Sequence, residues 1–405
     1  MTEATPPETA AESRPLPLTG LRVLDLGRIY QGPWCGTLLA LAGATVLKIE
    51  APGGEPARGP AGGTTVPFAL VNSNKYAVTL DLKSPRGREL FLDLVRGADV
   101  VVENFGPGVM ERLGLGPERL LEANPRLVYG GATAYGIDGP DRDRLGMDVT
   151  LQAYSGVMSV TGHVGTPPVK AGVAFVDFLG AANLYAGIMT ALYERERTGR
   201  GRIVDIAMID TIFPTLASNL ASYYRDGTTP QTGNGHGGAG LAPYNVYPAA
   251  DGYLALIVLT QRHWQGLCEA MGRPELADDE RFRSNGRRYH NIDELEAEIT
   301  AWSSARARDE VVAALEAVRV PVAAVRRVPE LVEDPHLHER GAVRRVDHPA
   351  LGEMVVPHSP LRFRGSEPLP LSPSPALGQD NRLIYGEWLG LDAEEIERLA
   401  ADGVL

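Results

Sequence analysis

The chain has 405 residues, enough for two domains, and carries a formal net charge of −12, with 44% apolar and 22% charged residues. That balance fits a globular protein of enzyme size. It argues against broad nucleic-acid binding, which needs basic stripes, but leaves room for a local basic pocket. Two cysteines, Cys35 and Cys268, give neither a disulfide framework nor a CxxC metal spacing, and point to a reducing cytoplasm.

Residues 1–17 are polar and Pro-rich without an apolar core, and read as a disordered leader instead of a signal peptide. "LRVLDLG" (21–27) reads as a buried strand. A Gly32-Pro33 turn then opens an apolar helix, "WCGTLLALAG", and "ATVLKIEAP" is a second strand. This β-α-β unit implies a parallel sheet covered on both faces. After a Gly/Pro loop (52–66) come the strand "YAVTLDLKS", the helix "PRGRELFLDLVRGA" and the strand "DVVVENF", which closes in a Gly-Pro turn. Two more helices lead to the strand "RLVYGGATAYG". The alternation predicts a large doubly wound, Rossmann-like α/β domain over 18–222. The segment "RDGTTPQTGNGHGGAGLAPYN" has almost no large apolar residues and reads as a mobile loop or domain boundary. Beyond it, a strand ("DGYLALIVL"), a helix ("QRHWQGLCEAMG") and a charged helical stretch to about 330 predict a smaller domain, 223–335 with its linker. The tail, 336–405, holds two strands and a last helix, "DAEEIERLAAD". Every apolar stretch is broken well short of a membrane span, so no membrane partner is expected.

The usual signatures are missing. No GxGxxG follows the first strand, and no P-loop, HExxH or GxSxG occurs. His336 and His338 have no supporting carboxylate or cysteine cluster, so no metal site is expected. One feature stands out instead. Asp177 lies between apolar runs at the start of the long apolar helix in "VAFVDFLGAANLYAGIMTALYERERTGRGR". A lone carboxylate there must be paired, exposed in a cleft, or used. The plain account makes it a helix cap; helix-end donors would favour its anion and hold an oxyanion.

Taken together, "LRVLDLG", "LAGATVLKIEAP", "NSNKYAVTLDLKSPRGRELFLDLV", "ADVVVENFGPGVMERLGLG" and "TGRGRIVDIAMID" resemble, in this order, the class III CoA-transferase family. That family includes formyl-CoA and carnitine CoA-transferases and α-methylacyl-CoA racemase. The resemblance covers about 18–400. It implies a large α/β domain completed by the C-terminal tail, a small α+β domain between, and two subunits interlocked as a homodimer. It also implies that Asp177 is the nucleophile. Attack on an acyl-CoA thioester gives a mixed anhydride, then an aspartyl-CoA thioester that hands CoA to an acceptor acid. No permanently bound cofactor is implied; the CoA thioester is substrate, and the partners are acyl-CoA and small carboxylic acids.

The same resemblance assigns a CoA slot to Leu80, Lys83, Asn104, Phe105 and Arg112. It gives a substrate pocket to Tyr30, Gln31, Met147, Asp148, Met208 and the glycines Gly237 and Gly238 of a closing loop. His236 lies in that loop but is not taken as a base. Ala51 stands where the family can carry an arginine near the nucleotide, and Lys48 is retained without an evident role. Racemases typically place a histidine immediately before the Asp148 position. Here that residue is Met147, which cannot move a proton, so transferase is favoured over racemase. A non-catalytic acyl-CoA binder is the rival from another class. A nicotinamide oxidoreductase fails for want of the glycine fingerprint. For a dicarboxylate acceptor, Arg142 or Arg144 would supply a second cation.

Overall fold

A computed structural model of the protein describes residues 14–229, 231 and 240–405. Two compact units emerge. The first comprises Met1–Asp148, Ala174–Thr211 and Asp334–Leu405; the second comprises Val149–Val173 and Ile212–Glu333. The stretches 149–173 and 212–222, both expected inside the large domain, thus group with the second unit.

The first unit is built on six parallel strands: β1 (Arg22–Asp25), β2 (Thr45–Glu50), β3 (Tyr76–Thr79), β4 (Val100–Glu103), β5 (Val128–Thr133) and β6 (Ile203–Ala207). Their order is β3-β2-β1-β4-β5-β6. Successive side chains alternate between faces, and both faces are covered. Val23, Val46 and Val100 pack with Leu39, Leu184 and Ile188 on one side. Leu24, Leu47 and Val101 pack with Phe91, Leu94 and Tyr385 on the other. This is why the strands read as unbroken apolar runs. Each such side chain, once buried, contributes about 1.5–3 kcal/mol.

The C-terminal stretch closes the exposed edge. Asn381 accepts from the Thr79 N–H at 2.9 Å, and the Tyr385 hydroxyl donates to the Thr79 carbonyl at 2.7 Å. The β3 edge is thereby paired with the tail.

The long helix, Phe175–Thr198, has 24 residues and ends at Gly199 in the left-handed region, φ 71°. By length and composition it could cross a membrane, which corrects the expectation that all apolar stretches are too short. Its helical stripe of Gly180, Ala181, Leu184, Ile188 and Ala191 is buried, and Arg195, also buried, pairs with Asp99 at 2.9 Å. Packing on the sheet therefore accounts for the apolarity of that stripe.

In the second unit, β7 (Tyr244–Ala249), β8 (Gly252–Ile257) and β9 (Val322–Ala324) form an antiparallel sheet. Tyr247, Trp264, Phe282 and Leu315 form the core beneath it. Strand β9 lies in a stretch expected to be helical. The preceding helix ends at Ala317, Arg319 turns the chain at φ +60°, and Val322, after Pro321, pairs into β8. A hairpin of β10 (Val343–His348) and β11 (Gly352–Pro357) belongs to the first unit.

Candidate active site

In an open parallel sheet, a crevice forms beyond the strand ends where the strand order reverses. Here that point lies between β1 and β4. The chain leaving β1 runs Leu26 to Gln31, and the chain leaving β4 runs Asn104 to Val109. The first turn is very tight: a Cβ on Gly27 would sit 2.6 Å from the Gly32 carbonyl carbon. Ile29 adopts φ +64°, an unfavourable backbone for a β-branched residue.

Several groups hold it there. The Asn104 amide spans Arg28, accepting from its N–H at 2.7 Å and donating to its carbonyl at 3.0 Å. Glu55 accepts the Ile29 N–H at 2.8 Å and pairs with Lys48 at 3.1 Å. Lys48 also donates to the Gly27 carbonyl. Lys48 and Glu55 are both buried. Lys48, without a role in the sequence reading, is thus a strut beneath this turn. On the other side, Asp25 accepts from the Gly27 N–H and pairs with Lys75, each at 2.8 Å. Burial lowers the Lys75 ammonium to about 8.

Two cavities open over the crevice. The first, about 270 Å³, is lined by Leu80, Lys83, Phe105, Ala51 and Arg28 among others. The second, about 400 Å³, is lined by Asp177, Gln31, Met147, Met208, Arg144 and Asn104 among others. Arg28, Phe105 and Val109 line both.

Asp177 is the third residue of the long helix; Ala174 occupies the cap position without a side-chain bond. Asp177 is therefore not the cap. Asp148 takes that role from outside the helix, accepting from the N–H of Val176 at 2.8 Å and of Asp177 at 3.4 Å. Those two donors are thereby committed, which corrects the expectation that they hold an oxyanion. Burial, with the Asp148 carboxylate adding to it, pushes Asp177 up to about 7. Desolvation and the second carboxylate thus oppose the anion that the helix end would favour.

Gln31 is buried, and its Nε2 has no hydrogen-bond partner among the described residues. It lies against Gly180 of the long helix, where a Cβ would approach Nε2 to 2.4 Å. Glycine there makes room for the amide. Tyr30 does not line the cavity. It stacks on Phe178 at 5.8 Å, and Trp34 meets the same ring edge-on at 5.7 Å. Glu103 holds the β4 turn, accepting from the Phe105 N–H at 2.7 Å and the Tyr129 hydroxyl at 2.9 Å; burial raises it to about 7.

The sequence-derived residues therefore divide. Leu80, Lys83 and Phe105 share the first cavity; Asp177, Gln31, Met147, Met208 and Asn104 share the second, with Asp148 behind Asp177. Arg112 lines neither, its guanidinium folded back onto the Pro107 carbonyl at 3.2 Å. Gly237 and Gly238 lie outside the described residues. Among the described residues no cluster could hold a metal ion.

Residues 18–381 match the model of CoA-transferase family III. The chain belongs to that family. It is similar to the formyl-CoA:oxalate CoA-transferase of Streptomyces avermitilis, with 36% identity over 96% of this chain and 99% of that one. The succinyl-CoA:mesaconate CoA-transferase of Haloarcula marismortui is 38% identical over 91% and 96% of the two chains. The crystal structure of a CAIB/BAIF family protein from Brucella suis superposes with a TM-score of 0.82 at 33% identity, covering 93% of this chain and all of that one. Within this family III chain, sequence reasoning passed over Arg28 and Glu55. A charged Lys-Ile-Glu run inside an otherwise apolar strand was the available signal. A charge on a strand buried on both faces must find a partner.

Proposed function

We propose that this protein moves CoA from an acyl-CoA donor to a small carboxylic acid through a covalent intermediate on Asp177. The observation that carries this reading is the position of that carboxylate. It lies in a cavity that shares a wall with a second cavity, so one long thioester can reach from Lys83 to Asp177.

Asp177 attacks the thioester carbonyl, and the C–S bond breaks to release CoA thiolate and leave a mixed anhydride. The thiolate attacks the aspartyl carbonyl, expelling the donor acid and forming an aspartyl-CoA thioester. The acceptor carboxylate attacks that carbonyl, again releasing thiolate. The thiolate then takes the acceptor's acyl carbon and frees Asp177. Gln31 Nε2, buried and without a partner among the described residues, supplies a donor for the oxyanions that form. Gly180→Ala pushes that amide aside without altering the helix backbone. It is expected to lower kcat roughly 10- to 100-fold with a near-unchanged thermal midpoint. An unchanged kcat would remove Gln31 from this role.

Dicarboxylates suit the cavity as acceptors. Relatives are named for oxalate, mesaconate and glutarate, and Arg144, but not Arg142, lines the cavity with Asp177. Met147 lines it where a racemase would need a proton carrier, which speaks against α-proton transfer. The outer face of the long helix exposes Ala182, Ala186 and Tyr193, and a second copy of the chain covers it in the homodimer we propose. Sedimentation equilibrium giving a monomer mass would overturn that assembly.

Hydroxylamine trapping followed by peptide mass mapping tests the chemistry, with formyl-, oxalyl- and succinyl-CoA as donors. A hydroxamate on Asp177, absent in Asp177→Ala, is expected. Donor consumed with Asp177 unmodified would overturn the covalent route.

A further inference from the structure

The charges around the first cavity are nearly all spoken for. Glu50 is bound by Arg58 at 2.8 Å and Glu55 by Lys48 at 3.1 Å. Asp81 accepts the Lys83 N–H at 3.0 Å and so closes its own turn. Two cations remain on the lining, Lys83 and Arg28. The Arg28 guanidinium is exposed and lies over the Phe105 ring, 4.5 Å from its centre. No acid pairs with Arg28 among the described residues.

The placement of Arg28 is bought with strain. Its backbone is bracketed by Asn104, and the next residue, Ile29, is held at φ +64° by the buried Lys48–Glu55 pair. Unfavourable backbone persists where the surroundings over-determine it, and such places cluster at ligand clamps. What this strain fixes is a guanidinium on the seam between the two cavities, since Arg28 lines both.

The proposed function supplies the ligand. CoA is a nucleotide with a 3′-phosphate, joined through a diphosphate to a pantetheine arm that ends in the thiol. Between nucleoside and arm, the group that crosses from one cavity to the other is the diphosphate. A planar fork of donors matches its oxygens, and the Phe105 ring holds the guanidinium flat beneath them. We propose that Arg28 binds the CoA diphosphate, so that the strained turn after β1 sets the depth at which the thioester reaches Asp177. This rests on the CoA-transferase reading and adds a binding residue to it.

Titration calorimetry of the intact protein with free CoA and with 3′-dephospho-CoA tests the assignment. Arg28→Gln is expected to weaken both ligands by a similar factor, roughly 10- to 100-fold, with the thermal midpoint of the unliganded protein unchanged. Equal affinities for wild type and variant would overturn it. A loss confined to CoA, sparing the dephospho form, would also overturn it and assign Arg28 to the 3′-phosphate. A wild-type protein that binds neither ligand would sink the CoA-transferase reading itself, a result distinct from either of these.

Discussion

Asp177→Asn is expected to lose CoA exchange by roughly 10⁴-fold or more, and yet to be more stable than the wild type at pH 8. Both effects come from one carboxyl group. In the folded chain it titrates at about 7, against an ordinary value of 3.8, because burial and then Asp148 oppose its charge. Between those values the folded protein keeps a proton that the unfolded chain releases. Stability from this group therefore falls as pH rises from 4 to 7, and the deficit is complete above 7. Asparagine keeps the shape without the charge, so the variant gains about 1–3 kcal/mol at pH 8 and nothing at pH 4. Urea denaturation at the two values checks this; an equal difference at both would show that Asp177 is not strained by its charge. The same displacement serves the reaction. Only the anion attacks, so wild-type kcat/KM should rise with pH through about 7. A carboxylate of raised basicity is also the better nucleophile.

How far the sequence discloses such a site depends on what kind of contact builds it. Strands β1 to β5 were legible because a sheet covered on both faces leaves unbroken apolar runs between Gly and Pro turns. Strand β6 was not, since Asp205 interrupts "IVDIA" and its outer residues are only partly buried. Strand β9 is three residues long, and its pairing with β8 comes from sequence-distant partners. At the site, Asp177 stood out as a lone charge in apolar surroundings, a local signal. The bond from Asp148 to its helix spans 28 residues, and that from Asn104 to Arg28 spans 76. Such bonds are set by topology, and no spacing rule reaches them. For this reason the plain account of Asp177 alone made it the helix cap with its anion favoured there, when a second carboxylate caps the helix and opposes that charge.

Glu55→Ala is expected to destabilise the fold by about 3–5 kcal/mol and to weaken CoA binding in what remains folded. The carboxylate does two things at once. It neutralises Lys48, which is fully buried, and it accepts the N–H of Ile29 at 2.8 Å. Its own N–H donates to Glu50 at 3.1 Å, and Glu50 in turn takes two nitrogens of buried Arg58, so four charges of zero net sum lie under the turn. Removing one leaves an ammonium in a site that water does not reach, with the Gly27 carbonyl as its remaining partner. It also releases Ile29, whose left-handed backbone costs about 1–2 kcal/mol and persists only while it is held. The turn then relaxes and Arg28 leaves the seam. Glu55→Gln separates the two duties, since the amide oxygen still accepts from Ile29 while the charge is gone. Urea unfolding should rank wild type above Glu55→Gln above Glu55→Ala, and adding Ile29→Gly should relieve the backbone strain where the turn is still held, in the wild-type and glutamine backgrounds, and least in the alanine background, where it has relaxed. If Glu55→Ala unfolds within about 1 kcal/mol of wild type, the buried pair is not what holds the turn, and the strain at Ile29 must be carried by Asn104 and Asp25.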